Sequence, residues 1–240
     1  MQSRVESSAP PVALEPRSAI YDRKAAVLAG VIRRNVSAVP TRVLVVGCGG
    51  GREAAQFAQS FRAQVVGIDL ETKFEAEAAC VADLRRGDAT SLDFPDGSFD
   101  FVYSYHALEH IPDYRRALRE MRRVLQRDGR YCVGTPNRER WIGYLGSNTA
   151  SLRQKLLWNA ADWKARLRGR FRNEFGAHAG FARDELHGEL TASLGPARDI
   201  TVAYYQSLYS RWSRAISGLE AARFTRILLP SVYFVGQRAA

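Results

Sequence analysis

Cysteine is scarce: Cys48, Cys80 and Cys132 are the only three in 240 residues, too few and too scattered for a disulfide framework, and no CxxC or Cys/His spacing suggests a zinc site. Reduced thiols and no bound metal are the expectation. Also missing is any run approaching the roughly 18 uninterrupted apolar residues of a spanning helix. The opening MQSRVESSAPPVALEP lacks the apolar block of a signal peptide, so a soluble, cytoplasmic protein is expected. No internal repeat is visible. The formal net charge of +10 invites a nucleic-acid reading, because Lys and Arg bind polyanions by releasing counterions. No Asn-Pro-Pro-Tyr-type base-handling motif and no aromatic nucleic-acid signature accompanies that charge, which argues for a basic surface, an acidic acceptor or a membrane face instead.

What is present is the material of one α/β domain: 46% hydrophobic residues in a chain long enough to bury a full core. Residues 1–16 are Ser/Pro/Ala-rich without periodicity and predict a frayed tail, leaving 17–240 as a single domain. Ile20, Ala25, Leu28, Val31 and Ile32 predict an amphipathic helix between Ser18 and about Ser37, stopped by Pro40. Arg42–Val46 and Gln64–Ile68 read as strands buried on both faces, with a helix over Arg52–Phe61 between them. The stretch 71–86 is ambiguous, with a strand near Cys80–Leu84. A strand over Phe99–Ser104 precedes a helix in which Pro112 occupies the first turn and Tyr114, Leu118, Met121 and Leu125 share a face, closed by Asp128-Gly129. Arg130–Gly134 is a further strand. Such alternation predicts a doubly wound, mostly parallel sheet with helices on both faces.

The alternation pauses over about 138–180. There Leu152, Leu156, Ala160, Trp163 and Leu167 form an apolar helical stripe among many Arg and Lys residues. This insertion reads first as a lid over the site, then as a dimer face, then as a basic amphipathic helix resting on an anionic membrane. A helix near Ala182–Ser193, a strand near Ile200–Tyr205, a helix from about Arg211 to Leu228 and a final strand Ser231–Gly236 complete the reading.

The clearest chemical signal is Gly47-Cys48-Gly49-Gly50-Gly51 between the first strand and its helix. Glycines there let a ligand approach the backbone, and the helix N-terminus adds oriented N–H groups. The spacing is GxGxG, with Arg52 where a dinucleotide fingerprint needs glycine. Asp69, followed by Leu70, ends the second strand, where an open α/β sheet presents its ligand and where a carboxylate can take both hydroxyls of a ribose. A turn-forming or capping aspartate is the plainer alternative.

With Gly87-Asp88-Ala89, Phe94-Pro95-Asp96-Gly97-Ser98-Phe99-Asp100, His106-Ala107-Leu108-Glu109-His110-Ile111-Pro112 and Arg123-Val124-Leu125, the chain resembles the class I S-adenosylmethionine-dependent methyltransferases. The likeness is to the small-molecule enzymes related to ubiquinone and menaquinone biosynthetic methyltransferases, and it runs through residues 43–136. It implies a Rossmann-like, seven-stranded sheet with an antiparallel last strand, S-adenosylmethionine as cofactor and a small-molecule acceptor, in a monomer or homodimer. It further implies that Gly47, Cys48 and Gly49 lie against the methionyl and ribose parts, that Asp69 and Leu70 hold the ribose side, that Asp88 and Ala89 meet the adenine, and that Ser104 and Tyr105 border the methionyl end. Asp83 stays open as the alternative to Asp88. The family usually carries an acid where this chain has Val45, so a compensating polar group or weaker cofactor binding is expected.

Methyl transfer needs collinear positioning, and a base helps when the acceptor is a hydroxyl. His106, after the fourth strand, and His178, in a glycine-flanked loop, are the candidate catalytic groups; His110 reads as packing and His187 as surface. The His106/His110 pair has i,i+4 spacing without a third metal ligand. Arg17 and Tyr21 are placed to close over the nucleoside. A non-catalytic nucleoside-binding module on the same fold and an RNA methyltransferase are the rival readings.

Overall fold

The structure is a computed structural model, and it describes residues 22–144, 151–175 and 179–239. The expected tail, Arg17, Tyr21 and His178 lie outside those residues. The first helix, α1 (Arg23–Asn35), starts where Asp22 accepts a hydrogen bond from the Ala25 N–H at 3.0 Å, and it buries Ala25, Leu28, Ala29, Val31 and Ile32. Strand β1 (Arg42–Val46), helix α2 (Arg52–Phe61) and strand β2 (Gln64–Asp69) follow the sequence pattern residue for residue or within one. Next come a short helix α3 (Ala76–Ala79), strand β3 (Asp83–Arg86) and strand β4 (Phe99–Tyr105). The third strand therefore begins three residues later than expected.

Helix α4 (Tyr114–Val124) is capped by Asp113, whose side chain accepts from the Arg116 N–H at 3.0 Å. Pro112 thus precedes the cap rather than filling the first turn, and Leu125 belongs to strand β5 (Leu125–Pro136), not to the helix. Helix α5 (Leu152–Leu167), helix α6 (Arg183–Ser193) and strand β6 (Ala197–Asp199) come next. Residues expected as a strand near Ile200–Tyr205 instead form helix α7 (Thr201–Leu208). Thr201, Tyr204, Tyr205 and Leu208, at i, i+3, i+4 and i+7, are all buried, so a helix seats this face better than a strand would. The expected helix Arg211–Leu228 is broken into α8 (Ser213–Ala221) and α9 (Thr225–Leu228) at Arg223, whose φ is 61°. Strand β7 (Ser231–Gln237) closes the chain.

The sheet order is β3-β2-β1-β4-β5-β7-β6, parallel from β3 to β5, with β7 antiparallel to both its neighbours. This is the Rossmann-like architecture the sequence implied. Strand alternation divides the core: Val43 and Val45 pack with α1, α2 and α7 on one face, Leu44 and Val46 with α4 and α6 on the other. The strand order reverses between β1 and β4, which opens a crevice at their C-terminal ends. No described helix is long and apolar enough to cross a membrane.

Candidate active site

A cavity of about 1140 Å³ occupies that crevice. Its floor is the glycine turn after β1. The N–H groups of Gly47 and Cys48 both donate to the Ile68 carbonyl, at 2.9 and 3.0 Å, and the Gly51 N–H donates to the Cys48 carbonyl at 2.9 Å. Gly47 and Gly49 have φ of 74° and 52°, the left-handed region that costs other residues. Their surroundings differ. A Cβ on Gly47 would fall 2.3 Å from the Ala107 Cβ, whereas a Cβ on Gly49 would meet nothing within 4 Å. The first glycine lets β1 and the turn after β4 close on each other; the second leaves bare backbone facing open space on the cavity wall.

Asp69, half-buried at the tip of β2, accepts from the Gly49 N–H at 2.8 Å through Oδ2 and from the Glu71 N–H at 3.1 Å through Oδ1. It therefore fixes the turn as well as facing the cavity, and each oxygen keeps further lone pairs for a diol. Leu70 beside it is 64% exposed, an apolar side chain left on the rim. Asp88 and the buried Ala89 stand on the next part of the wall. The Thr90 N–H and hydroxyl both donate to Asp88 Oδ1 at 2.8 Å, and they hold this carboxyl below the usual carboxylate range. Asp83 is elsewhere: it opens β3, away from the cavity wall, and pairs with Arg85.

Cys48 is buried in the turn, and burial, with Asp69 nearby, pushes its thiol up to about 12, so it stays protonated and acts as wall rather than nucleophile. Tyr105 reaches the cavity while its hydroxyl bonds the Ser231 hydroxyl at 3.0 Å and its ring stacks on Tyr233; burial pushes its phenol up to about 12. Ser104 is fully buried within β4 and is not on the wall. Of the expected site residues that are described, the structure thus gathers Gly47, Cys48, Gly49, Asp69, Leu70, Asp88, Ala89, Tyr105 and His106 around one cavity and leaves Ser104 outside it.

His106 adopts φ of 54°, which turns the chain sharply at the end of β4. Its Nδ1 lies 3.1 Å from Oε1 of Glu109, whose side chain is fully buried, and the same oxygen is 3.9 Å from Nε2 of His110. The two groups are in contact but short of hydrogen-bond geometry, and both Glu109 oxygens are buried without a hydrogen-bond partner. Glu109 escaped the sequence reading. Glu53, on the first turn of α2, escaped it too. It lines the cavity, and burial together with repulsion from Asp22 pushes its carboxyl up to about 7, while the Tyr103 phenol and the Lys24 ammonium pull the other way. The Tyr103 hydroxyl lies near Glu53 but short of hydrogen-bond geometry. Tyr103 is the register neighbour of Val45, so Glu53 sits beside the strand position that lacks an acid. On the rim, Arg52 pairs with Glu75 at 2.7 Å. His187 is remote, its Nε2 3.0 Å from the Ala197 carbonyl. Among the described residues no cluster of three or more His, Cys, Asp or Glu could hold a metal ion.

Compared with known families, residues 44–133 match the methyltransferase domain. The chain is 36% identical over 100 residues to the uncharacterized methyltransferase YcgJ of Bacillus subtilis, covering 38% of this chain and 39% of that protein. The likeness is to methyltransferases. Two more relatives share it: the 27-O-demethylrifamycin SV methyltransferase of Amycolatopsis mediterranei, 32% identical over 102 residues (39% of this chain, 38% of that one), and the demethylmenaquinone methyltransferase of Listeria monocytogenes, 37% identical over 114 residues (42% and 48%). The matched segment spans less than half the length of these relatives. The crystal structure of YcgJ superposes with a TM-score of 0.55 at 21% identity, over 88% of this chain and 98% of that one, which extends the likeness in fold to most of the chain. The matched residues include the glycine turn, Asp69, Asp88 and His106, while α5 to β7 lie beyond them.

Proposed function

We propose that this chain transfers a methyl group from S-adenosylmethionine to a hydroxyl oxygen of a small or medium-sized acceptor, such as a secondary metabolite, a sugar or a lipid-linked intermediate. One observation carries the reading: a single cavity joins a bare glycine turn and two strand-tip carboxylates to a histidine seated on a buried glutamate. The wall fits the cofactor. Gly49 leaves space where a Cβ would intrude, Asp69 suits a ribose diol, Asp88 suits an exocyclic amine with Ala89 beside it, and Leu70 offers an apolar cover. Glu53 would answer the cationic amino end in place of the acid that Val45 replaces.

When bound, the cofactor supplies a methyl carbon on a positively charged sulfur, and the carbon–sulfur bond breaks as the acceptor oxygen bonds to the carbon. The chain's residues hold the acceptor in line, an effect worth about 7–11 kcal/mol of barrier. His106 Nε2 takes the hydroxyl proton, with the buried Glu109 carboxyl 3.1 Å from Nδ1 on the other side of the ring. The O-demethylrifamycin relative favours oxygen as the methylated atom; the general base is needed for a hydroxyl and superfluous for a neutral amine. A non-catalytic nucleoside-binding module is the second reading, favoured by Val45.

Mass spectrometry of reactions containing the protein, isotopically labelled S-adenosylmethionine and extract of its native host tests the proposal. A labelled O-methyl product that requires His106 supports it. Cofactor binding with no labelled product from any fraction would favour the binding module.

A further inference from the structure

Helix α5 buries none of its residues, yet it is firmly held. Ser151 and Gln154 form a capping box at its start, and the Asn159 side chain bonds both the N–H and the carbonyl of Gly143, at 2.6 and 3.1 Å. Asp162 pairs with Arg140 at 3.1 Å, and the Arg166 guanidinium donates to the carbonyls of Arg138 and Arg140 while it stacks over Phe171 at 3.8 Å. Asn159, Asp162 and Arg166 share one side of the helix, within an arc of about 60°.

An apolar strip next to that side faces out. At 3.6 residues per turn, Leu152, Leu156, Trp163 and Leu167 fall within an arc of about 60°. They are 74%, 63%, 41% and 86% exposed. Trp141, 54% exposed and packed edge-on against Trp163, continues the strip, with Ile142 beside it. Arg153 and Lys164 flank it on the next sector of the helix, and the exposed Arg168, Arg170 and Arg172 follow. Residues 151–175 hold seven Arg and Lys against two carboxylates, of which Asp162 is already paired. No α5 residue is on the cavity wall.

We infer that this strip docks on an anionic lipid bilayer. Leucines and tryptophans enter the headgroup boundary while flanking Arg and Lys side chains meet lipid phosphates. A second copy of the chain would cover the leucines equally well but would bring its own basic flank against this one, a repulsion that an anionic surface turns into attraction. Helix α5 follows β5, whose C-terminal end lies at the same sheet edge as the cavity, so docking brings that edge toward the bilayer.

Flotation of the full chain with vesicles tests the inference without any activity measurement, so its failure leaves the methyltransferase reading untouched. The protein is expected to float with vesicles of equal parts phosphatidylglycerol and phosphatidylcholine, not with phosphatidylcholine alone, and less in high salt. Leu156→Asp with Leu167→Asp should weaken binding at least about tenfold, since each leucine is worth a decade or more when buried. The melting temperature should not change, because both side chains are exposed. Absence of flotation with the anionic vesicles, equal binding by the double variant, or a wild-type dimer that the double variant converts to monomer would overturn it.

Discussion

Two glycines two residues apart in the chain, Gly47 and Gly49, make opposite predictions. Gly49→Ala puts a left-handed φ of 52° on alanine, at a cost of about 1–2 kcal/mol, and adds no clash, because its Cβ meets nothing within 4 Å. Gly47→Ala carries the same strain at φ 74° and drives a methyl to 2.3 Å from the Ala107 Cβ, adding about 1–3 kcal/mol of overpacking. For a chain of this size 1 kcal/mol moves the melting point by roughly 2–4 °C. Gly49→Ala should therefore melt about 2–8 °C low, and Gly47→Ala lower still. Binding should rank the other way for the protein that remains folded. The Gly49 methyl stands on the cavity wall and disturbs the N–H that anchors Asp69, so a ligand lying on the turn must yield to it. A similar 1–3 kcal/mol there raises the dissociation constant about 5- to 150-fold. Thermal melts of the unliganded variants and calorimetric titration with S-adenosylmethionine separate the two effects. Wild-type affinity in Gly49→Ala would refute the placement of the cofactor on this turn.

Further expectations bear on individual groups. His106→Asn should lower kcat by about 10²–10⁴ with little change in cofactor affinity, measured in a methyl-transfer assay once an acceptor is found. Glu109→Gln should lower kcat less, since it replaces the buried carboxyl beside His106 Nδ1 with a neutral amide of the same shape. Asp88→Asn should weaken cofactor binding by about 1.5–3 kcal/mol in calorimetry, the worth of a hydrogen bond to a charged group. Glu53, pushed from its ordinary 4.5 up to about 7 in the folded state, binds its proton more tightly folded than unfolded. Its contribution to stability is full below pH 4.5 and declines as pH rises to about 7. Glu53→Gln should flatten that part of the curve of melting temperature against pH; an unchanged slope would show that another group is responsible.

The N-terminal half of the fold was legible because its signals are local. Arg42–Val46, Arg52–Phe61 and Gln64–Asp69 combine buried strand runs with a glycine turn, and each strand ends where its pattern does. Leu125 misled because it continues the helical spacing of Tyr114, Leu118 and Met121, although the chain has already entered β5. Ile200–Tyr205 misled because β-branched and aromatic residues in a short run suit a strand; the helical period emerges only when Leu208 is included. The glycine-turn and strand-tip residues of the cavity wall were legible for the same reason, since they declare themselves by position. Glu53 and Glu109 were not, because their burial is a tertiary matter. Glu53 is enclosed by Tyr103 from β4 and by Asp22 and Lys24 at the start of α1. Glu109 is buried only once His106 turns through its positive φ and the short turn Leu108–His110 folds beneath it. The outward stripe of α5 was legible as a stripe, but its direction depends on which side Arg140 and Gly143 hold.

The central claim is that the crevice between β1 and β4 holds an adenosine attached to a cationic amino-acid tail. Calorimetric titration of the full chain with S-adenosylmethionine, its demethylated product and NAD tests it most directly. Saturable one-to-one binding of the first two, lost in Asp69→Ala and absent with NAD, is the predicted result. Binding of NAD alone, or S-adenosylmethionine affinity that survives the loss of Asp69, would contradict the account.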